Sequence, residues 1–135
     1  MFVVDASIAL LWCFADERSG YADAVLERLT IDTARVPGIW PFEVSNGLRS
    51  AERRGRLRSS EVPRIRELLL ALPVAVDDVD LSEAVGDVLT LARTHDLTSY
   101  DAAYLALAIR RDLPFATTDD RLRIVARASG VELVD

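Results

Sequence analysis

A run of uncharged residues in the second half of the chain strongly constrains how the chain can fold. Eight residues without a charge follow Asp101, and they read AAYLALAI. The run favours a helix that is apolar on every side, and such a helix is usually buried in the middle of a domain. This helix nevertheless opens with a carboxylate, and burying a charge is costly unless something pairs with it. Asp101 therefore needs a partner, which an arginine or a bound cation would provide.

Short apolar segments alternate with helical patterns along the whole chain. We predict strands at residues 2–4, 34–36, 74–76, 115–117 and 131–133, and helices at residues 7–14, 21–29, 41–54, 59–72, 81–94, 100–111 and 121–128. The strands are apolar throughout rather than alternating, which is typical of a parallel sheet covered by helices on both faces. We expect a single α/β domain spanning residues 1–135.

All sixteen basic residues are arginine, and the chain has no lysine. This excludes a P-loop, which needs a lysine for the phosphates, and an enzyme that forms a Schiff base. The net charge is −6, which argues against a protein that coats nucleic acid in general.

One basic strip interrupts this acidic chain between Arg49 and Arg66. It contains seven arginines against two glutamates, and the arginines are residues 49, 53, 54, 56, 58, 64 and 66. Such a strip can bind a phosphate backbone locally, and a solvated helix surface explains the charge pattern equally well.

The N-terminus carries no sign of export. It lacks a basic region, and Asp5 interrupts the first apolar stretch, so we expect no signal peptide. The apolar run at residues 8–15 is shorter than the roughly 20 residues that span a bilayer. The single cysteine, Cys13, lies in this run and suits core packing in a reducing compartment. We expect a cytoplasmic protein that does not enter a membrane.

Acidic residues stand where the predicted strands and helices meet. Asp5 follows the first strand, Asp119 and Asp120 follow the strand at 115–117, and Glu43 and Asp101 lie in the first turns of helices. Ligands of open α/β sheets bind outside the carboxyl ends of the strands. Each acid could instead serve as a helix cap or as a favourable first-turn charge.

The acids at positions 77, 78 and 80 show how easily such placements arise. They also follow a strand, and we expect them to form a solvated loop that begins a helix. Asp101 differs from them because Leu105 and Ala108 lie along its own helix face, which predicts that this face is buried.

Four stretches of the sequence together resemble the PIN domain. They are FVVDAS at residues 2–7, PFEVSNGL at 41–48, SYDAAYLALA at 99–108 and FATTDDRL at 115–122. The closest resemblance is to the VapC branch, the ribonuclease toxins of bacterial VapBC toxin–antitoxin pairs. It extends over essentially the whole chain in order, although no single stretch is specific.

The resemblance implies an acidic metal site formed by Asp5, Glu43, Asp101 and Asp119. Asp5 and Asp101 would be the primary ligands of Mg²⁺ or Mn²⁺, Asp119 would be a further ligand, and Glu43 would orient the water. Asp120, one residue away, could substitute for Asp119. The family's small hydroxyl residues fall on Ser7, after the first acid, and on Thr117, before the last. We predict that Thr117, Arg49 and Arg53 contribute to substrate binding, the arginines through the RNA backbone.

The resemblance further implies a three-layer fold with a parallel five-stranded sheet in the order 3-2-1-4-5. The implied function is a Mg²⁺-dependent endoribonuclease, the toxin of a type II toxin–antitoxin system. A VapB-type antitoxin that covers the cleft, and a homodimer or a heterocomplex with that antitoxin, would go with it. A non-catalytic RNA-binding or partner-binding domain on the same fold is the alternative. A phospho-receiver domain is a poorer match, because it requires a lysine and paired acids after the first strand.

Overall fold

The computed structural model describes residues 1–17 and 19–135. The strands are β1 (Phe2–Val4), β2 (Ala34–Pro37), β3 (Val74–Asp77) and β4 (Phe115–Ala116). The α-helices are α1 (Ala6–Cys13), α2 (Gly20–Arg28), α3 (Trp40–Arg53), α4 (Val62–Leu70), α5 (Leu81–Glu83), α6 (Leu89–His95), α7 (Ser99–Arg111) and α8 (Asp120–Ala128). Two short 3-10 helices precede α2 and α4, at Ala15–Glu17 and Ser59–Glu61.

The strands form one parallel sheet in the order β3-β2-β1-β4. This confirms the predicted α/β class and the predicted order of the first four strands. The predicted fifth strand is reduced to one parallel bridge between Phe115 and Leu133. Its neighbour β4 has only two residues, because the chain turns toward α8 directly after it. The segment around Leu133 therefore has too short a neighbouring strand to form a longer β-ladder.

The segment from Leu81 to His95 differs from the single helix that the sequence predicts. A π-helical stretch, Ala84–Val88, separates α5 from α6. Gly86 lies in the middle of this stretch, and glycine is a poor residue for the interior of an α-helix. The hydrophobic pattern continues through the stretch, which is why the sequence alone predicts one helix.

Helix α7 is the buried apolar helix that the sequence predicts. Tyr104 and Leu105 are fully buried, and α7 packs against β1 and β2. The Tyr104 ring stacks on Phe115 with the ring centroids 5.9 Å apart. This packing fixes the start of α7, and therefore Asp101, relative to the carboxyl ends of the central strands. Cys13 is buried, as predicted. None of the helices in the described residues is long and apolar enough to cross a membrane.

Candidate active site

The four predicted acids lie together in one cleft at the carboxyl end of the sheet. Asp5, Glu43, Asp101 and Asp119 all line a cleft of about 490 Å³, together with Ser7, Asn46 and Thr118. Gly47 lies on its wall, where a Cβ atom would come within 2.4 Å of Leu10 Cδ1. The absence of a side chain there lets α3 approach α1, which brings Glu43 close to the end of β1.

Asp5 is held by two hydroxyl groups. Its Oδ2 atom accepts hydrogen bonds from Ser7 Oγ (3.0 Å) and Thr117 Oγ1 (2.9 Å). Thr117 is fully buried, and its Oγ1 also accepts from the Asp119 backbone N–H at 3.1 Å. Asp5 Oδ1 makes only one long contact, 3.4 Å to the Ser7 N–H. The network thus orients Asp5, ties it to Asp119, and leaves Oδ1 largely free for another ligand.

Glu43 is joined to α7 by a buried tyrosine. The Tyr104 hydroxyl donates to Glu43 Oε1 and accepts from the Ala6 N–H. Burial raises the pKa of the Glu43 carboxyl, the Tyr104 hydrogen bond lowers it, and the charges of Asp5 and Asp101 raise it, with a net increase. Burial and the neighbouring Glu43 raise the pKa of Tyr104 as well, so its hydroxyl remains a donor.

Asp101 lies in the first turn of α7 but does not cap the helix. That role belongs to Thr98, whose Oγ1 accepts from the Asp101 N–H at 3.1 Å. Burial raises the pKa of the Asp101 carboxyl, and the charges of Asp5 and Asp119 raise it further. The charge of Arg121 lowers it, although Arg121 makes no direct ion pair with Asp101; its Nη2 atom donates instead to the Asp96 carbonyl at 2.6 Å. No arginine among the described residues pairs directly with Asp101, so a bound cation stays the other partner that the sequence predicts for it.

Asp119 lines the cleft and also caps a helix. Its Oδ1 accepts from the Leu122 N–H at 3.0 Å at the start of α8. Asp5 caps α1 in the same way. Capping and membership of the cleft are therefore compatible for these two residues. Asp119 and Asp120 are both exposed, but only Asp119 is among the residues that line the cleft, so the geometry favours Asp119 over its neighbour.

The donors of the cleft suit a hard divalent cation. Across residues 1–17 and 19–135, no group of three His, Cys, Asp or Glu side chains has the spacing of a complete metal cage. Mg²⁺ does not require such a cage, since it is commonly bound by one or two carboxylates and keeps several waters. The Glu43 and Asp101 carboxylates have raised pKa values and form no ion pair with another described residue, and they lie in a cleft with room for water, which fits that mode.

Asp77 corrects the prediction of a solvated loop at residues 77–80. Its side chain is buried, with 8% of the residue exposed, and it pairs with Arg35 at 2.7 Å, with Arg110 at 3.6 Å and with Arg111. Burial raises the pKa of Asp77, but the hydrogen bonds from Arg111 and Arg35 outweigh this and lower it overall. Asp80 caps α5, as predicted.

Two arginines of the basic strip extend from the cleft along α3. Asn46 lines the cleft, and Arg49 and Arg53 follow it by three and seven residues, which places the three on one stripe of the helix. Both arginines are exposed, and Arg49 makes only a 3.7 Å ion pair with Glu52. Arg56 differs, because it pairs with Glu17 at 2.8 Å and covers the Phe14 ring.

Three residues of this region were not among the predicted site residues. Tyr104 was counted only as an apolar core residue, although it lies three residues after Asp101 and so on the same face of α7. Asn46 lies three residues after Glu43, and the same helical spacing could have indicated it. Arg121 carries no sequence signal, because its position beside Asp101 depends on how α6 and α8 pack.

Comparisons with known proteins agree with this fold. The PIN domain family model matches residues 2–128. Ribonuclease VapC3 of Pyrobaculum aerophilum is 34% identical over 124 residues, covering 89% of this chain and 90% of that protein. The structure of FitAcB from Neisseria gonorrhoeae has a TM-score of 0.69 at 17% identity and covers 100% of this chain and 97% of that chain. A toxin–antitoxin complex from Klebsiella pneumoniae has a TM-score of 0.62 at 18% identity, covering 88% and 87%.

A parallel α/β sheet with an acidic cleft at its carboxyl edge defines a class of proteins suited to metal-assisted chemistry on phosphates. Within that class the chain belongs to the PIN domain family, in its branch of VapC ribonucleases. Nucleases of this branch generally depend on a divalent metal.

Proposed function

We propose that this protein, as a single PIN domain spanning residues 1–135, is an endoribonuclease that hydrolyses RNA phosphodiester bonds with Mg²⁺, which Mn²⁺ can replace. The observation that carries the proposal is the convergence of four carboxylates from separate segments without a compensating ion pair among the described residues. Such a cleft repels a phosphate by itself, so activity requires a cation. The relatives named ribonuclease VapC support the same reaction.

We assign the cleft side chains two roles, which are to bind the cation and to orient the attacking water. Asp5 and Asp101 are the primary ligands, and Asp119 is a further one, directly or through water. When bound, the metal lowers the pKa of a coordinated water and neutralises charge on the phosphate. Glu43 orients that water and, with its raised pKa, is suited to accept a proton from it. Thr117 and Ser7 keep Asp5 aimed into the cleft.

The decisive experiment is a cleavage assay on mixed cellular RNA with Mg²⁺, with Mn²⁺ and with EDTA. We expect cleavage with either metal and none with EDTA. Asp5→Asn should remove nearly all activity, because it keeps the shape of the side chain but not its charge. Asp78→Asn is the matched control, since Asp78 is an exposed acid outside the cleft. Robust cleavage by the Asp5→Asn protein would show that the site is elsewhere. Mapping the cut ends would identify the RNA.

We propose that Arg49 and Arg53 hold the RNA backbone. Replacing both by Ala should weaken RNA binding for every sequence. It should also flatten the dependence of binding on salt, because a protein with fewer phosphate contacts releases fewer counterions when it binds. Arg56→Ala is the control, because Arg56 is already engaged by Glu17. An unchanged salt slope in the double variant would assign the two arginines to a merely solvated surface.

We also propose that the protein acts in the cytoplasm as the toxin of a VapBC pair. Its partner would be a VapB-type antitoxin that covers the cleft, and the toxin would form a homodimer or a heterocomplex with this antitoxin. The toxin–antitoxin complex among the similar structures supports this assembly. Light scattering across a concentration series, with and without the antitoxin, measures the oligomeric state. A protein that remains monomeric at high concentration would contradict the homodimer.

A further inference from the structure

Two exposed aromatic rings directly precede two of the cleft acids. Phe42 comes before Glu43 and is 73% exposed, and Tyr100 comes before Asp101 and is 60% exposed. The chain has four Phe, three Tyr and two Trp residues, and among the described residues every other one is buried or half-buried. Trp12 and Trp40, which are the largest rings, belong to the core or its edge. Both exposed rings of the protein therefore lie next to acids of one site.

Each ring lies in the first turn of a helix that carries a cleft acid. Phe42 is in the first turn of α3 and Tyr100 is in the first turn of α7. The hydrogen bond from Tyr104 to Glu43 joins these two helices beside the cleft. A side chain one position before a cleft acid points about 100° away from it around the helix axis. Neither ring is among the residues that line the cleft, and each directly precedes one that is.

The surroundings of each ring are polar, which argues against an apolar docking surface for a protein. Phe42 is followed along its helix by Ser45 and Asn46, and Tyr100 is preceded by Thr98 and Ser99, all of which are exposed. A protein partner would gain most from a contiguous apolar patch. A nucleobase needs only one flat ring, because stacking uses the face of the aromatic system.

We propose that Phe42 and Tyr100 stack on bases of single-stranded RNA on either side of the bond to be cut. This inference rests on the proposed ribonuclease function and names the form of its substrate. A phosphate held at the acids would carry its flanking bases past the two first turns, and Arg49 and Arg53 on α3 would hold the backbone beyond them. Bases in a duplex are already stacked on each other, so the rings select unpaired RNA.

The test measures binding of a mixed-sequence single-stranded RNA to the full-length protein carrying Asp5→Asn, so that the RNA stays intact. Phe42→Leu and Tyr100→Leu keep an apolar side chain but remove the ring. We expect each to weaken binding roughly 5- to 150-fold, the range typical of one stacked base. Phe42→Tyr and Tyr100→Phe should bind as the parent does. An abasic strand of the same charge should bind the ring-bearing and leucine proteins equally.

Fluorescence adds a signature that a structural role would not produce. RNA should quench the added emission of a Phe42→Trp protein, and an abasic strand should not. Ile31→Trp is the matched control, because Ile31 is 90% exposed and precedes β2, at the opposite end of the sheet from the cleft. Its added emission should be unchanged by RNA.

The outcomes separate this proposal from the nuclease proposal. Leucine variants that bind RNA as tightly as the parent would overturn stacking, and so would equal losses on RNA and on the abasic strand. If the leucine variants bind RNA normally but fail to bind the antitoxin, the rings are a protein contact and the proposal is wrong. The binding assays require no cleavage. Wild-type protein that cuts no RNA would therefore overturn the nuclease proposal alone.

Discussion

Two carboxylates, one at the end of β3 and one in the first turn of α7, have opposite environments. Asp77, at the end of β3, is buried among three arginines, and its pKa is lowered. Asp101 is half-buried beside Asp5 and Asp119, it forms no ion pair with another described residue, and its pKa is raised. Both carboxylates face the same cost of losing water. At Asp77 the fold supplies the compensating charge, whereas at Asp101 it leaves that charge to be supplied from outside.

We propose that this difference separates acids that stabilise the fold from acids that serve a ligand. An ion pair that is complete within the chain stabilises the fold and offers nothing to a ligand. A group of like charges without cations costs stability, and such costs are commonly tolerated at functional sites. If the comparison is correct, neutralising substitutions should have opposite effects on stability at the two places.

The largest effect on stability is expected from Asp77→Asn. The substitution removes the buried negative charge that pairs with Arg35, Arg110 and Arg111, and of these three arginines only Arg110 keeps another acidic partner among the described residues, Glu83. Breaking a buried pair in this way costs about 3 kcal/mol of unfolding free energy. Urea unfolding followed by circular dichroism measures it. The neighbouring exposed variant Asp78→Asn should change stability by less than about 0.5 kcal/mol. A similar small change in Asp77→Asn would mean that the arginines are satisfied by water.

The sequence could not distinguish Asp77 from the cleft acids. Asp77, Asp5 and Asp119 all follow apolar strands, and their local patterns are alike. The partners of Asp77 come from β2 and from the end of α7, far away along the chain, so only the packed fold shows that this acid is neutralised. The four cleft acids were found through the resemblance of four stretches, not through their charge.

The fold was predictable to the extent that local pattern decides it. Apolar segments and glycine or proline stops place β1 to β4 and most helices to within one or two residues. The fifth strand was overpredicted because the length of a strand depends on its neighbour, and β4 turns away after Ala116. The role of Tyr104 was missed because its ring is a core residue while its hydroxyl serves Glu43, and a hydrophobic pattern records only the ring.

A medium effect is expected from acidification of the metal-free protein. The pKa of Asp77 is lowered in the folded state, so its contribution to stability is complete above the unfolded value near 3.9 and is lost as the pH falls through the folded pKa. The pKa values of Asp101 and Glu43 are raised, so their penalty is complete above the folded pKa and is relieved as the pH falls toward the unfolded values.

Melting curves in EDTA from neutral pH downward test these opposite signs. The deficit of Asp77→Asn relative to wild type should shrink only at pH values below about 3.9. Any stability advantage of Asp101→Asn over wild type should shrink earlier in the acidification, at pH values above about 3.9. The reason is that the raised pKa lets the wild-type carboxyl take up its proton there. If the stability differences of Asp77→Asn and Asp101→Asn from wild type change over the same pH range, the electrostatic contrast between the two acids is wrong.

The smallest effect on stability is expected from Asp101→Asn, and the sign of the change distinguishes a metal ligand from a structural acid. Two carboxylates at 4 Å repel by roughly 4 kcal/mol at an effective dielectric constant near 20, and distance, protonation and counterions reduce this greatly in an open cleft. The helix cap survives the substitution because Thr98 provides it. In EDTA the variant should therefore melt at or slightly above the wild-type temperature. With millimolar Mg²⁺ the difference between the two melting temperatures should narrow or change sign, because binding stabilises the wild type by RT ln(1 + [L]/Kd).

The matched control for this last measurement is Asp120→Asn. Asp120 also lies in the first turn of a helix, but it is exposed and outside the cleft. If first-turn charge alone matters, both variants should lose about 0.3–1 kcal/mol, with or without metal. If the cleft matters, only Asp101→Asn should respond to Mg²⁺. Equal destabilisation of Asp101→Asn in EDTA and in Mg²⁺ would make Asp101 a structural acid like Asp77, and the proposed metal site would lose its central ligand.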